Sequence, residues 1–411
     1  MSVSKKQLWS AWTIVTFFYA YQYILRVMPS ILMDDIVKKF SLSPDAFGQF
    51  SGVYYLGYSL MHLPVGILLD RFGPKNILPI LIACTSLGLL PILYAESFMY
   101  PIIGRVFIGI GSSGAILGVF KVLHMYFESK KFSRFLSFSV TIGLLGAIYG
   151  GAPIHFARTT FGFEPVVFAL IVVSLALALA TYLILPKPVK TEQKAHVLSD
   201  VKKVFSNKEL LLLCFVAGFM VGPLEGFADV WGVQFLKVYH GIQDSVAPGI
   251  PSWIFIGMCF GGPILSLIAE KRQNYVEVVL GAACVMAFIF ALILSVQLSA
   301  MTLSVLFFIV GICSAYQMLM IYQVSTLVSG PLKSLSSVAS NMIIMIFGYL
   351  FHSLIGKSIG WFAIAKGVDG FRDANVLVTG IAIIPFALLL SATVLAFYVW
   401  AIRRRSVVAK A

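Results

Sequence analysis

Four charged side chains lie inside long apolar runs of the sequence, where an ionised group is energetically expensive. Arg26 and Arg105 occur in the first half of the chain, and Glu225 and Asp229 occur four residues apart in the second half. A guanidinium at the centre of a bilayer costs about 3 kcal/mol or more unless a partner compensates it. Charges within a membrane mark substrate and ion paths, so these four residues are the first candidates for a functional site.

Polar side chains accompany the first of these charges. Tyr19, Gln22, Tyr23 and Ser30 lie three, four or seven residues from Arg26, which places them on its face of a helix. This stripe predicts that Arg26 faces a polar cavity, although extension of its side chain to the membrane border is an alternative. Other predicted cavity-lining residues, each of which could instead form an interhelical hydrogen bond, are Tyr54, Tyr55, Tyr58, Gln317, Asn341 and His352.

A weak internal repeat places the two acids at the level of the first arginine. At an offset of 200 residues an acid followed by a base recurs, and Arg26 maps onto Gly226, beside Glu225. Two buried cations and two buried anions at one depth would offset one another, which predicts a gate. The alternatives are a purely structural role for the acids and hydrogen bonds from Arg105 to carbonyls of the first helix.

The composition identifies an integral membrane protein. Of the 411 residues, 59% are hydrophobic and 11% are charged, against roughly 25% charged in soluble proteins. The five cysteines occur singly, without metal-ligand spacing, and no Gly-x-x-x-x-Gly-Lys-Ser/Thr sequence is present. We therefore expect no metal site, no cofactor and no ATP hydrolysis by this chain, and we do not expect an enzyme.

Twelve apolar runs are long enough to span a bilayer, which requires about 20 residues. A polar stretch, 186–208, separates six runs from six. This predicts an all-α fold of two pseudo-symmetric six-helix bundles, 1–185 and 209–411, joined by a cytoplasmic linker. The predicted spans are 8–33, 46–69, 76–94, 98–124, 134–156, 163–185, 209–237, 248–269, 275–296, 300–328, 335–360 and 375–401.

The distribution of positive charge orients these spans. With the N-terminus inside, 20 of the 30 Lys and Arg residues fall on the cytoplasmic side, 7 on the opposite side and 3 within spans. Both termini are therefore predicted in the cytoplasm, and Lys121 is expected to extend to the membrane border. Because topology explains the net charge of +13, nucleic-acid binding is not expected. Short loops and the absence of an Asn-x-Ser/Thr sequence are consistent with a bacterial inner membrane.

Three motifs carry a family resemblance. GILLDRFGPK (66–75) resembles the signature between helices 2 and 3 of the major facilitator superfamily, Gly-x-x-x-Asp-Arg/Lys-x-Gly-x-Arg/Lys. RVFIGIGSSG (105–114) resembles its helix-4 motif, whose glycines are predicted to let that helix pack tightly. GLLGAIYGGAP (143–153) is a partial match to its helix-5 antiporter motif, without the Gly-Pro pair. The resemblance implies bundles that alternate between outward-open and inward-open states, with helices 1, 4, 7 and 10 lining a central cavity.

The same resemblance implies a latch on the cytoplasmic side. Asp70, expected just past the end of helix 2, would interact with Arg71 and Arg134 while the outside is open. Gly66 and Gly73 would allow close approach of the helices. The alternative is a charged turn that helps to set the topology.

Arginines in helices 1 and 4 resemble the anion:cation symporter branch of the superfamily, in which they hold a substrate carboxylate or phosphate. The guanidinium fork suits either group. This sequence departs from the pattern of the branch, because Leu25 and Ser112 stand where acids occur in other members. That departure leaves Glu225 and Asp229 as the candidate proton carriers.

The expected function is proton-coupled uptake of a small carboxylate-bearing metabolite, such as an organic acid, an amino acid or a short peptide. Arg26 and Arg105 would bind the anionic group of an anionic or zwitterionic substrate, and Glu225 and Asp229 would carry protons or bind a substrate amine. A proton-driven antiporter that exports a drug or metabolite is the alternative within transport. A non-transporting membrane receptor is the alternative outside it. We expect the protein to act as a monomer in the lipid bilayer.

Overall fold

The fold is built from helices throughout the part of the chain that the computed structural model describes, which is residues 5–186, 197–330 and 332–408. No β-strand occurs in these ranges. A helix satisfies its backbone hydrogen bonds within one segment, which is what a chain this apolar requires in lipid. The prediction of an all-α membrane protein is therefore confirmed for the described residues.

Twelve long helical segments follow one another along the chain, some of them with local interruptions. Short helices at Met33–Phe40 and Val197–Phe205 lie outside this series. The segments are Lys5–Ile31 (α1), Pro44–Phe72 (α2), Pro74–Tyr94 (α3), Met99–Tyr126 (α4), Arg134–Phe161 (α5), Phe163–Ile184 (α6), Lys208–Val238 (α7), Ala247–Arg272 (α8), Tyr275–Ser295 (α9), Ala300–Thr326 (α10), Leu332–Lys366 (α11) and Ala374–Arg404 (α12).

Eleven of these segments, α2 to α12, are long and apolar enough to cross a membrane. The first segment, α1, has sufficient length at 27 residues. Its mean hydropathy is lowered by the tyrosines, Gln22 and Arg26 that form the predicted polar stripe. The sequence pattern of α1 is therefore that of a helix with one polar side, and the sidedness of the termini remains a prediction.

The chain forms two compact units, Met1–Ala195 and His196–Ala411. The division falls inside the stretch 186–208 that was predicted as a linker. Of that stretch, residues 187–196 lie outside the described part of the chain, and Val197–Phe205 forms a helix rather than an extended connection. The exact bundle boundaries, 1–185 and 209–411, remain predictions.

Helices α4 and α10 are each interrupted at one position, at Ser113 and at Ala315. A serine hydroxyl bonds back to the preceding turn at both places. Ser113 donates to the carbonyl of Ile110 over 2.7 Å, and Ser314 donates to that of Val310 over 2.8 Å. Such back-bonding competes with the helical ladder and bends helices. The two interruptions lie about 200 residues apart, in line with the predicted repeat.

Glycines bring particular helix pairs into backbone contact. A Cβ added at Gly109 of α4 would overlap the carbonyl oxygen of Tyr54 in α2. In the second unit, a Cβ at Gly257 of α8 would overlap the carbonyl oxygen of Phe308 in α10. Small residues allow this approach in membrane helices. Gly111 of α4 lies against the backbone of Leu81 in α3, and Gly114 lies against the side chain of the same residue, so the predicted tight packing of the glycine motif in α4 is confirmed.

Candidate functional site

Arg26 is buried against aromatic rings in the first unit. Only 7% of the residue is exposed. Its guanidinium carbon lies 5.0 Å from the ring centre of Tyr23 in α1 and 5.5 Å from that of Tyr55 in α2. Cation–π contacts of desolvated groups contribute about 2 kcal/mol each. These rings therefore offset part of the cost of burying the charge.

Arg105 of α4 is buried beside the same helices, with 1% of the residue exposed. Its Nη1 donates a hydrogen bond of 2.9 Å to the backbone carbonyl of Leu25, the residue that precedes Arg26. The guanidinium also lies 5.0 Å from the ring centre of Tyr54 and 5.5 Å from that of Phe50. The bond to a carbonyl of α1 is the contact proposed as the structural alternative. It also brings both arginines into one cluster of α1, α2 and α4.

Polar and aromatic contacts join the other predicted residues of the first unit to this cluster. The hydroxyl of Tyr54 donates to Oε1 of the buried Gln22 over 2.9 Å. The rings of Tyr54 and Tyr58 stack with centres 6.0 Å apart, and those of Tyr19 and Tyr23 meet edge to face at 5.4 Å. The residues that the structure thus brings together in one cluster are Tyr19, Gln22, Tyr23, Arg26, Tyr54, Tyr58 and Arg105. Their role in binding substrate remains a prediction.

Phe50 contacts Arg105 but was not among the predicted residues, whereas Tyr55, which contacts Arg26, was predicted as a residue that could line the cavity. Both belong to an aromatic series on α2, in which Phe50, Tyr54 and Tyr58 recur every four residues. Tyr55 continues this surface, with its ring edge-to-face against Tyr54 at 5.3 Å. The spacing of aromatic residues on a helix next to a buried arginine was the available signal, because cations and ring faces attract one another.

The predicted acids lie in a π-helical segment of α7, Gly222–Trp231, whose ten residues are all buried. Glu225 is 1% exposed and Asp229 is fully buried. The sequence was interpreted as α-helix, but Pro223 has no N–H to donate at the start of the segment. A π-helix is wider than an α-helix, is rare, and occurs frequently at functional sites. The π-helical geometry is therefore a second reason, besides the buried charges, to consider this segment functional.

The remaining predicted residues of the second unit lie on α10 and α11. Gln317 is 8% exposed and occurs just after the interruption of α10. Asn341 is half-buried in α11. The neighbouring Tyr316 donates a hydrogen bond of 2.7 Å to the carbonyl of Ala217 in α7, which ties α10 to α7 one turn before the π-helical segment.

The predicted latch residues have partners that the sequence did not indicate. Asp70 forms an ion pair with Lys121 of α4, in which Oδ1 of Asp70 lies 2.7 Å from Nζ of Lys121. The guanidinium of Arg71 lies 5.1 Å from the ring centre of Phe72, and that of Arg134 lies 5.8 Å from the ring centre of Phe138. Lys121 was expected to extend freely to the membrane border, whereas it crosses to Asp70 on a neighbouring helix.

Two expectations about this motif were wrong. Asp70 lies within α2, which ends at Phe72, and not beyond the helix. A Cβ at Gly66 would meet no atom of the described structure within 4 Å, so Gly66 is not a point of close helix approach. Gly73 has a conformational role at the turn from α2 to α3. Its φ of 76° is a backbone conformation that glycine adopts readily and other residues rarely adopt.

Comparison with known proteins identifies the family. The sequence model of the Major Facilitator Superfamily matches residues 12–348 of this chain. A protein of Oryza sativa subsp. japonica, "Probable anion transporter 4, chloroplastic", is 27% identical over 164 residues, which are 38% of this chain and 28% of that protein. The "Nitrite extrusion protein" of Bacillus subtilis (strain 168) is 23% identical over 234 residues, 55% of this chain and 56% of that protein. The match thus spans 28% of the length of the first relative and little more than half of the second.

Solved structures of transporters share the fold. A bacterial homologue of the human lysosomal transporter Spinster, in an inward-facing and occupied conformation, matches with a TM-score of 0.74 and 19% identity over 98% of both chains. The nucleoside transporter NupG matches with a TM-score of 0.75 and 13% identity over 94% of this chain and 99% of its own. At these identities the likeness shows the architecture alone.

Proposed function

This chain belongs to the Major Facilitator Superfamily, and we propose that it is a secondary active transporter that takes up a small carboxylate-bearing metabolite together with protons. The observation that carries the proposal is the cluster of two buried guanidiniums in the first unit. Arg26 and Arg105 are 7% and 1% exposed and lie on four aromatic rings of α1 and α2. Two guanidiniums in one cluster are suited to bind an anionic ligand.

The arginine cluster suits a carboxylate for a geometric reason. A guanidinium presents parallel N–H groups that match the two oxygens of a carboxylate. The aromatic faces and the bond from Arg105 to the carbonyl of Leu25 hold the guanidiniums in place, which lowers the entropy lost on binding. Organic acids, amino acids and short peptides all carry the required group. The names of the two relatives, an anion transporter and a nitrite extrusion protein, support an anionic substrate.

Glu225 and Asp229 are the proposed proton carriers. Both are buried in the π-helical segment of α7. A buried carboxylate that binds a proton loses its charge and with it the cost of its burial. Protonation of these acids would accompany binding of the anion, which couples the two fluxes. For a zwitterionic substrate the same acids would bind the amine.

The ion pair between Asp70 and Lys121 is proposed as part of a cytoplasmic latch. Asp70 is exposed and Lys121 is largely covered, so the pair lies at the surface end of α2 and α4. Exposed ion pairs contribute about 0 to 1 kcal/mol. A contact of that strength can break and form again as the transporter alternates. Arg71 and Arg134 are the other cations proposed to exchange at Asp70.

Export is the second candidate function. The name of the Bacillus subtilis relative, an extrusion protein, favours it, because the same embedded charges would serve a proton-driven antiporter. A non-transporting receptor is a third candidate and predicts ligand binding without flux. For either direction of transport, we propose a monomer in a bacterial inner membrane.

Substrate class is tested by a thermal-shift screen of the purified protein. Carboxylates, amino acids, nucleosides and organic cations are compared for ligand-induced stabilisation, which rises with the ratio of ligand concentration to Kd. We expect stabilisation by one or more carboxylates, lost in Arg26→Ala and partly kept in Arg26→Lys. Stabilisation by cations only, or a carboxylate response that survives Arg26→Ala unchanged, would contradict the proposal.

A further inference from the structure

The short helix Val197–Phe205, here called the linker helix, is amphipathic and lies at the start of the second unit. Val204 is fully buried, and the helix packs against α11. Lys202 and Lys203 on its other face are exposed. The apolar side of the linker helix is thus covered by protein, and its basic side is the exposed one.

An open cavity occurs where the linker helix meets α7. It is lined by Lys202, Lys203, Ser206 and Asn207. The side-chain oxygen of Asn207 caps α7 by accepting a 3.1 Å hydrogen bond from the N–H of Leu210, which leaves its amide nitrogen as a donor. Nζ of Lys203 forms an ion pair with Oδ1 of Asp200 over 3.3 Å. The Lys203 side chain is nevertheless 64% exposed. The cavity thus combines two ammonium groups with an amide donor.

Positive charge extends beyond the cavity itself. Lys208 occupies the first position of α7 and Lys333 lies in the first turn of α11, and both are exposed. Such a field attracts anionic lipid headgroups at about 1 kcal/mol per basic residue near the surface.

The cavity lies close to residues of α12 that are typical of the membrane border. Glu209, two residues after Asn207, accepts a 2.6 Å hydrogen bond from the hydroxyl of Tyr398 in α12. One to two turns further along α12, the guanidinium of Arg404 lies 5.5 Å from the ring centre of the exposed Trp400. Tryptophan and basic residues of this kind lie at the level of the lipid headgroups. The end of α12 therefore sets the headgroup level at the start of α7, beside the cavity.

We propose that this cavity binds the phosphate of an anionic phospholipid, with Lys202 and Lys203 as the charge-bearing contacts. The lipid would hold the linker helix against the membrane and stabilise the second unit. The occupant is a lipid rather than a soluble anion because the cavity lies at headgroup depth beside helices that face the acyl chains. This site is separate from the proposed transport function and does not depend on it.

The test compares lipids on the full-length purified protein. Unfolding temperature is measured in detergent with added phosphatidylglycerol, with phosphatidylcholine, and with phosphatidylcholine plus inorganic phosphate. We expect phosphatidylglycerol to raise the unfolding temperature by several degrees more than phosphatidylcholine. The difference should disappear in Lys202→Gln/Lys203→Gln and persist in Lys202→Arg/Lys203→Arg.

The matched control is Lys357→Gln/Lys366→Gln, which removes two exposed lysines from the other end of α11. This control should keep the full response to phosphatidylglycerol. The proposal is overturned if Lys202→Gln/Lys203→Gln also keeps it, or if the control loses it equally. An equal response to inorganic phosphate would overturn the assignment to a lipid.

Discussion

At the scale of single residues, the central question is how two arginines can be buried in one apolar unit. In the structure, the guanidiniums contact the faces of aromatic rings and one backbone carbonyl. Arg26 lies on Tyr23 and Tyr55, and Arg105 lies on Tyr54 and donates to a backbone oxygen of α1. These contacts offset part of the cost of burying the two charges. The cluster that they hold is the proposed binding site for the anionic group of the substrate.

The variant Arg26→Lys tests whether binding of a carboxylate depends on the shape of the guanidinium as well as on its charge. Lysine keeps the positive charge but has no planar fork and stacks less well on Tyr23 and Tyr55. We expect a loss of about 1.5 to 3 kcal/mol of charge-assisted hydrogen bonding, seen as a decrease of about 10- to 100-fold in affinity for a carboxylate substrate. Isothermal titration of the purified protein measures it. Arg372→Lys, at a side chain that is 84% exposed, is the control and should bind as the wild type does. Equal affinity of Arg26→Lys and wild type would refute direct contact.

Tyr54→Phe tests the polar contact beneath the cluster. The variant removes the hydroxyl that donates to the buried oxygen of Gln22. A buried acceptor that loses its donor costs about 1 to 3 kcal/mol, so the unfolding temperature should fall. Tyr149→Phe, at a residue that is 59% exposed, removes a hydroxyl without such a contact and should leave stability unchanged. Equal stability of the two variants would show that water replaces the bond to Gln22.

At the scale of helices, close packing depends on where a glycine faces a neighbour, and not on glycine content. Gly109 contacts the backbone of Tyr54, whereas Gly66 faces open space. Both positions belong to motifs that resemble those of the family. Only the packing of the folded chain distinguishes them, because that packing decides which helix surfaces meet.

Gly109→Ala and Gly66→Ala form a matched pair on this point. The added methyl at 109 overlaps the backbone of α2, and overpacking of this kind costs about 1 to 3 kcal/mol. The same change at 66 meets no described atom within 4 Å and should raise stability by about 0.5 to 1 kcal/mol, since alanine favours a helix. Thermal unfolding in detergent measures both changes. The packing account fails if Gly66→Ala is the more destabilised variant.

Much of the helical architecture could be predicted from the sequence, because bilayer thickness fixes the length of an apolar span. The predicted span 76–94 differs from the observed helix Pro74–Tyr94 by two residues at one end. The π-helical segment around Glu225 could not be predicted, because it depends on the hydrogen-bond register of a few residues. The pairing of Asp70 with Lys121 also needed the folded structure, since the two residues are 51 positions apart.

The candidate site was predicted unevenly for a physical reason. Arg26 and Arg105 were identified because a charge in an apolar run is conspicuous and expensive. Phe50 was not, because an aromatic residue in a membrane helix more often faces lipid or packs in a core. Its contact with Arg105 depends on the packing of α2 against α4. Sequence patterns thus identified the charges and the polar residues beside them, while the contact of Phe50 required the fold.

At the scale of the whole molecule, each unit contributes one kind of charge to the proposed function. The first unit contains the two arginines, and the second contains Glu225 and Asp229. Because the acids are proposed to carry protons, Glu225→Gln/Asp229→Asn should retain binding of a carboxylate and lose at least about 90% of proton-driven uptake. Parallel binding and uptake assays on this variant measure the two effects. Retention of full uptake would remove the acids from the coupling mechanism.

The most direct test of the central claim is flux in proteoliposomes that carry an imposed proton gradient. The substrate is the carboxylate that stabilises the purified protein most strongly, supplied with a radiolabel on the outside. With an inwardly directed proton gradient, the account predicts accumulation of the label above its outside concentration, abolished by a protonophore and by Arg26→Ala. Label that leaves preloaded vesicles against its own gradient under the same conditions would contradict proton-coupled uptake and establish export.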